Sequence, residues 1–291
     1  MKNYIKILVL LFTLGLFWTS CDKITFPYTT GGNGDNLTND TVRKVLLEDF
    51  TGHSCVNCPQ AHKIADDLEK LYGKQLVVVA IHAGFFSKPK PAPYDDDFRT
   101  TEGTDLYNFF GVQSAPIGMV NRVKQGNGGY LVDKGAFATE VSKQIDSFPL
   151  KPDLYIYLEP TFNTGDSTVN LQTDVTFLTN LPSGKYNLCV MITESGIIAV
   201  QKNSDPAMGN TPEILDYQHN HMLRGMLTTT WGDEIMDSAP TDGLVIHKSY
   251  SNFKLGKDWN PKNCHIVAFV YRADGANEKE IIQAQEVELM K

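Results

Sequence analysis

Positive charge is scarce in this chain of 291 residues: 26 lysines and arginines face 34 aspartates and glutamates, a formal net charge of −8. With no basic stripe the field is unfavourable to phosphate, which excludes nucleic acid as a partner. Cysteine is sparse too, five in all. One CxxC is present, but no second CxxC and no HxxxH. A closed zinc site needs four ligands. His219 and His221 at i, i+2 could point the same way from a strand, and Cys264-His265 lie further on, but without a second CxxC or an HxxxH no metal is expected at the CxxC. No apolar run reaches the about 20 residues that a membrane-spanning helix requires. The rest is ordinary for a globular protein, with 42% hydrophobic and 21% charged residues.

The amino end sets the compartment. Lys2 and Lys6 precede an apolar stretch from Ile7 to Trp18, and Thr19-Ser20 lead into Cys21. Residues 1–20 read as a signal peptide. Small residues just before a cysteine resemble the lipobox of bacterial lipoproteins. That resemblance implies that Cys21 is lipidated and becomes the first residue of the mature chain, with ordinary cleavage near Cys21 as the alternative. Each buried acyl methylene contributes roughly 0.8 kcal/mol, so a multiply acylated cysteine anchors durably. Asp22 to Asp40 is polar, rich in Gly, Thr and Asn and without periodicity. Residues 21–41 are therefore a lipidated cysteine and a flexible tether.

Cys55-Val56-Asn57-Cys58-Pro59 carries the chemistry. Lys44 to Phe50 before it reads as a strand. Pro59 to Tyr72 after it places Ala61, Ile64, Ala65, Leu68, Leu71 and Tyr72 at helical spacing and stops at Gly73. Two thiols at this spacing can cycle between dithiol and disulfide, and a helix N-terminus favours a thiolate at the first of them. Cys55 is expected to be the exposed attacking sulfur and Cys58 the resolving one. A permanent structural disulfide, common in exported proteins, is the alternative. His53 is placed to tune the thiolate, or is a plain loop histidine.

The α/β pattern continues. Gln75 to His82 is a valine-rich strand of the fully buried kind. After an irregular stretch from Ala83 to Gly103, Thr104 to Phe110 reads as a short helix, Lys124 to Tyr130 as a hairpin turn, and Asp133 to Phe148 as a helix with Phe137, Val141, Ile145 and Phe148 on one face. Together, residues 42–150 resemble the thioredoxin fold, in which a redox CxxC opens the first long helix opposite a cis-proline strand. The resemblance implies that Asp49, in the Asp49-Phe50 pair, is the buried proton-accepting carboxylate. It also implies that Pro116, in Ala115-Pro116, is the cis-proline beside which a substrate strand pairs. Thr51 to Ser54 and Val56-Asn57 depart from that family's usual residues, so the direction of electron flow cannot be assigned. More narrowly, the signal and tether, Phe50-Thr51-Gly52 leading into the CxxC, and His219-Asn220-His221-Met222-Leu223-Arg224 resemble the outer-membrane-protein-28-type lipoproteins of Gram-negative bacteria.

Pro149 to Pro152 marks a boundary. Beyond it, 154–158, 168–177, 186–193, 243–247, 264–271 and 281–289 alternate or run apolar between Gly, Asn, Pro and Asp turns. Residues 151–291 are expected to form an antiparallel β-sandwich, interrupted by a long insertion at 201–240. That insertion gathers His219, His221 and Arg224, a candidate partner-binding surface. Cys189 and Cys264 lie in predicted strands and are either paired or buried as hydrophobes.

The expectation is a thioredoxin-like α/β domain followed by an all-β domain, lipid-anchored at the bacterial outer membrane. It faces the periplasm, with surface exposure as the alternative. The partners expected are protein thiols or disulfides and the membrane itself, and no diffusible cofactor is needed. The alternative function is a non-catalytic binding or adhesion lipoprotein that keeps the fold as scaffold. Oligomeric state is not legible in the chain.

Overall fold

The computed structural model describes residues 42–146 and 149–290. The segments expected to be a signal peptide and a tether, the expected lipidation site Cys21, and Phe148 lie outside the described residues.

Two apolar runs make the centre of the first half. β1 (Val45–Thr51) and β2 (Leu76–His82) are buried at every position and pair in parallel, from Val45 opposite Leu76 to Thr51 opposite His82. A parallel pair needs a crossover, here α1 (Cys58–Tyr72). Its Ala61, Ala65 and Leu68 pack on Val45, Leu47 and Val78, joined by Phe137 and Val141 of α3 (Phe137–Asp146). Leu71, expected on the same face, is exposed at the helix edge. β3 (Ile117–Val120) runs antiparallel to β1, with β4 (Val132–Asp133) outside it. On the other side of the sheet, Leu106 of α2 (Thr101–Phe109) joins Leu46, Phe50 and Ile81.

The six strands expected in the second half are present: β5 (Leu154–Asn163), β6 (Thr168–Phe177), β7 (Lys185–Glu194), β12 (Val245–Lys254), β13 (Cys264–Arg272) and β14 (Ile281–Glu288). β12, β6 and β5 form one antiparallel layer. Its Leu154, Ile156, Val175 and Phe177 meet Leu188, Val190, Ile266 and Val270 of the facing layer. The segment 201–240, expected to be an insertion, is itself built of strands. β8 (Ile197–Lys202) pairs with β9 (Glu213–His219), while β10 (Met222–Met226) and β11 (Asp233–Asp237) add to β7. These strands are short and several are broken by bulges, so no run of alternation announces them.

The facing layer is shared between the halves. The sheet runs β14-β13-β7-β10-β2-β1-β3-β4, with β11 also on β7. β10 joins β2 in parallel at Met222 and Ala80, and the Ala80 amide donates to the His221 carbonyl at 2.8 Å. At the other end the Gln283 side chain clasps the first described residues, accepting from the Lys44 amide at 2.8 Å and donating to the Val42 carbonyl at 2.9 Å. The stretches 42–150 and 151–291 thus meet in one sheet and pack as one unit. Beneath the sheet Arg122 and Glu48 make a fully buried bidentate pair at 2.6 and 2.7 Å. The guanidinium lies against the rings of Phe110, Phe269 and Tyr271. Cys189 and Cys264 are both free thiols. They belong to clusters on opposite faces of the sheet, which excludes a bridge between them, and burial pushes both thiols up to about 12.

Candidate functional site

β1 ends in a tight passage. Gly52 approaches Phe86 so closely that a Cβ would stand 2.5 Å from the Phe86 carbonyl carbon, which admits only glycine. The Cys55 amide turns back to the Gly52 carbonyl at 2.9 Å, and the Ser54 amide bonds the Phe86 carbonyl at 3.0 Å. The chain then enters α1 with Pro59 in its first turn, where no backbone donor is needed. Cys55 and Cys58 form a disulfide with their Cα atoms 5.5 Å apart.

Neither sulfur is at the surface. Cys55 is 2% exposed and Cys58 0%, while Val56 between them is 41% exposed. The expectation of an exposed Cys55 is therefore corrected. The cover is the β8–β9 hairpin and the residues that follow β8. Gln201 Nε2 donates to the Cys55 carbonyl at 2.8 Å. The Lys202 and Ser204 amides bond the carbonyls of His53 and Val56 at 2.8 and 3.0 Å. Gln60 of α1 reaches Asp205 at 2.9 Å.

Asp49 lies on the face of β1 that α1 covers. Its carboxylate is 1% exposed and has no hydrogen-bond partner among the described residues. Burial alone raises it well above the usual carboxylate range. The nearest polar group is His62 of α1, with Nε2 3.7 Å away. That ring is already bonded to Thr51 Oγ1 at 2.9 Å and to the Tyr217 hydroxyl at 2.7 Å. Burial, helped by the nearby His221, pushes His62 down to about 4. The Ala115–Pro116 peptide is cis, and the register of Phe50 opposite Ile117 brings Pro116 level with the end of β1.

The candidates at 219–224 scatter. His219 is buried, its ring 5.5 Å from His82, 5.6 Å from Phe98 and 4.9 Å from Tyr217. Burial pushes it down to about 3. His221 points instead to Glu69 of α1, with Nε2 3.1 Å from Oε2. Arg224 pairs with Glu194 at 3.3 Å and stacks over Trp259 at 5.0 Å. They do not make one surface. His53 is buried as well, with its ring against Tyr94 and Phe98 at 5.6 and 6.1 Å, and burial lowers its pKa. Sequence reasoning missed the buried ring group of His53, His82, His219 and Phe98. Its members come from four separate segments, and no local spacing betrays them.

Among solved structures, the chain is similar to HBP35 of Porphyromonas gingivalis at 18% identity. That likeness has a TM-score of 0.64 and covers 86% of this chain and 76% of that one. It is also similar to a protein of Agrobacterium tumefaciens at 14% identity, TM-score 0.51, over 86% of this chain and 96% of that one. A domain of the outer membrane lipoprotein Omp28 from Porphyromonas gingivalis aligns over 47% of this chain and 88% of its own, at 17% identity and a TM-score of 0.29. At such identities the first two likenesses speak to fold alone. No curated protein matches the chain. The family model for outer membrane protein Omp28 matches residues 104–291, which begin after the CxxC. Since that match takes in more than half of the sequence, the chain belongs to the Omp28 family of outer membrane proteins.

Proposed function

We propose that this is an outer-membrane lipoprotein, held by an acylated Cys21, whose Cys55–Cys58 pair exchanges disulfides with protein partners on a thioredoxin-like frame facing the periplasm. One observation carries the reading: the bridge opens α1 directly after β1, and that strand holds Asp49 buried, without a hydrogen-bond partner among the described residues, on the face beneath the helix. A buried carboxyl without a hydrogen-bond partner lowers stability, and a carboxyl whose pKa is raised by burial beside a redox pair is suited to taking up a proton. In the reduced protein the Cys55 thiolate attacks a partner disulfide, and one partner sulfur leaves as thiolate. The Cys58 thiol gives its proton to the Asp49 carboxylate and attacks the mixed disulfide. Cys55–Cys58 is restored, the second partner sulfur leaves reduced, and two electrons have passed to the partner. From the disulfide form the same steps run in reverse and oxidise a partner dithiol, the partner's potential setting the direction. The hairpin contacts at Gln201, Lys202 and Ser204 must open first, because they bury Cys55.

The burial of both sulfurs favours a second reading, a permanent bridge in a non-catalytic binding lipoprotein. A Cys58→Ser variant separates the two. Under the exchange reading it traps covalent protein partners through Cys55. A variant that traps none, in a protein whose native disulfide also withstands dithiothreitol, leaves the scaffold reading. In that case changes at His221 or Arg224 should impair function while Cys55→Ser with Cys58→Ser does not.

A further inference from the structure

Where β10 meets β2, one face of α1 looks onto the turn between β9 and β10. Asp66 and Glu69 are three residues apart on α1, so both carboxylates project from one side of the helix. His221 comes from the turn. Its backbone is left-handed, φ +54, and is fixed at both ends: the amide donates to Ser195 Oγ at 2.9 Å and the carbonyl accepts from Ala80 at 2.8 Å. Held this way, the imidazole faces the helix, and the donor atoms of Asp66, Glu69 and His221 all lie within 4.8 Å of one another. They line a cleft of about 850 Å³ whose wall also carries His265 and Glu286.

A second observation, the buried Asp49 carboxyl on which the proposed exchange also draws, favours positive charge here. Asp66 and His221, though not Glu69, also line a second cavity of about 30 Å³, together with Asp49 and His62 among others. Asp49, almost wholly buried, presents to it two carboxylate oxygens with no hydrogen-bond partner among the described residues. Placing an uncompensated carboxylate beside a second one is costly unless positive charge stands near. His221 is paired with Glu69, and together with Lys70 it also favours the Asp66 charge, but no lysine or arginine lines the small cavity at Asp49, where the nearest polar group is His62 at 3.7 Å.

We propose that Asp66, Glu69 and His221 form a binding site for a divalent transition-metal ion, zinc by its donor chemistry. An imidazole with two carboxylates suits zinc better than calcium or magnesium, which prefer oxygen alone. Three protein ligands leave a position of the tetrahedron open to the cleft for water or a ligand atom. The site uses neither cysteine of the disulfide and stands whether or not that bridge exchanges.

The test is zinc titration by calorimetry of the untagged full-length protein with its disulfide intact, repeated with cobalt(II) and read in the visible spectrum. One saturable site per chain is expected, together with cobalt bands from mixed nitrogen and oxygen ligation. His221→Gln and Asp66→Asn should each weaken zinc at least tenfold, and His221→Gln should abolish the cobalt bands. Glu69→Gln, at a half-exposed position on the helix surface, should weaken zinc likewise and serves where another variant fails to fold. The proposal is overturned if the oxidised wild type shows no saturable binding, or if folded variants bind as the wild type does.

Discussion

Acid should loosen this protein through its buried histidines, and His219 gives the cleanest measure. In the unfolded chain an imidazole titrates near 6.5, whereas burial holds His62 down to about 4 and His219 to about 3. Between those values and 6.5 the unfolded state binds protons that the folded state refuses, so stability falls as the pH falls. pH 5 lies about 1.5 units below the free imidazole value, and at ~1.36 kcal/mol per unit each ring costs about 2 kcal/mol relative to pH 7.5. His82 and His53, also lowered by burial, add in the same direction. Asp49 and His221 act oppositely. Both have raised pKa values, so their contributions are present at low pH and are lost as pH rises through the folded values. The wild-type slope is the balance of these groups. The difference between wild type and His219→Gln isolates one ring, because lost packing weighs equally at both pH values. Guanidinium unfolding at pH 7.5 and pH 5 should show the variant losing about 2 kcal/mol less than wild type over that interval. Equal losses in the two proteins would refute the argument that His219 is neutral because it is buried.

Other outcomes follow from the same geometry. Glu48→Ala leaves Arg122 charged and enclosed by aromatic rings, and should cost about 3–5 kcal/mol in urea unfolding. Asp49→Asn should stabilise the protein at pH 8 and change little at pH 4, where the native carboxyl is already protonated; denaturation at the two pH values checks this. Gln201→Ala removes the side-chain bond to the Cys55 carbonyl. At about 1 kcal/mol for the bond, reduction of the disulfide by dithiothreitol should be roughly fivefold faster, as followed by thiol release. Gly52→Ala drives a methyl into the Phe86 backbone and should cost about 1–3 kcal/mol by thermal or chemical unfolding.

The elements that the sequence revealed are those whose own residues supply the burial. The valine run of β2 and the alternation of β6 declare themselves, since each position's neighbours lie within one segment's pattern. The helix after the CxxC was legible for the same reason, apart from Leu71 at its edge. The hairpin over the disulfide was not. Its hold on residues 52–56 consists of hydrogen bonds made from about 150 positions away, and only Gln201, Lys202 and Ser204 hint at them. For the same reason Cys55 looked exposed from the sequence and is buried in the structure. The pairing of Asp66 and Glu69 with His221 was equally hidden, because it depends on β10 lying beside β2.

The cover over Cys55 has a consequence for the order of events as the chain is made. Residues 45–82 can form their strand, helix and strand as soon as they emerge, while Gln201 and its neighbours follow more than a hundred residues later. During that interval both thiols are open to any oxidising catalyst. Once the hairpin docks, whatever redox state was written into the pair is sealed until something lifts the lid, so the young protein and the finished one present different faces to the same reagent.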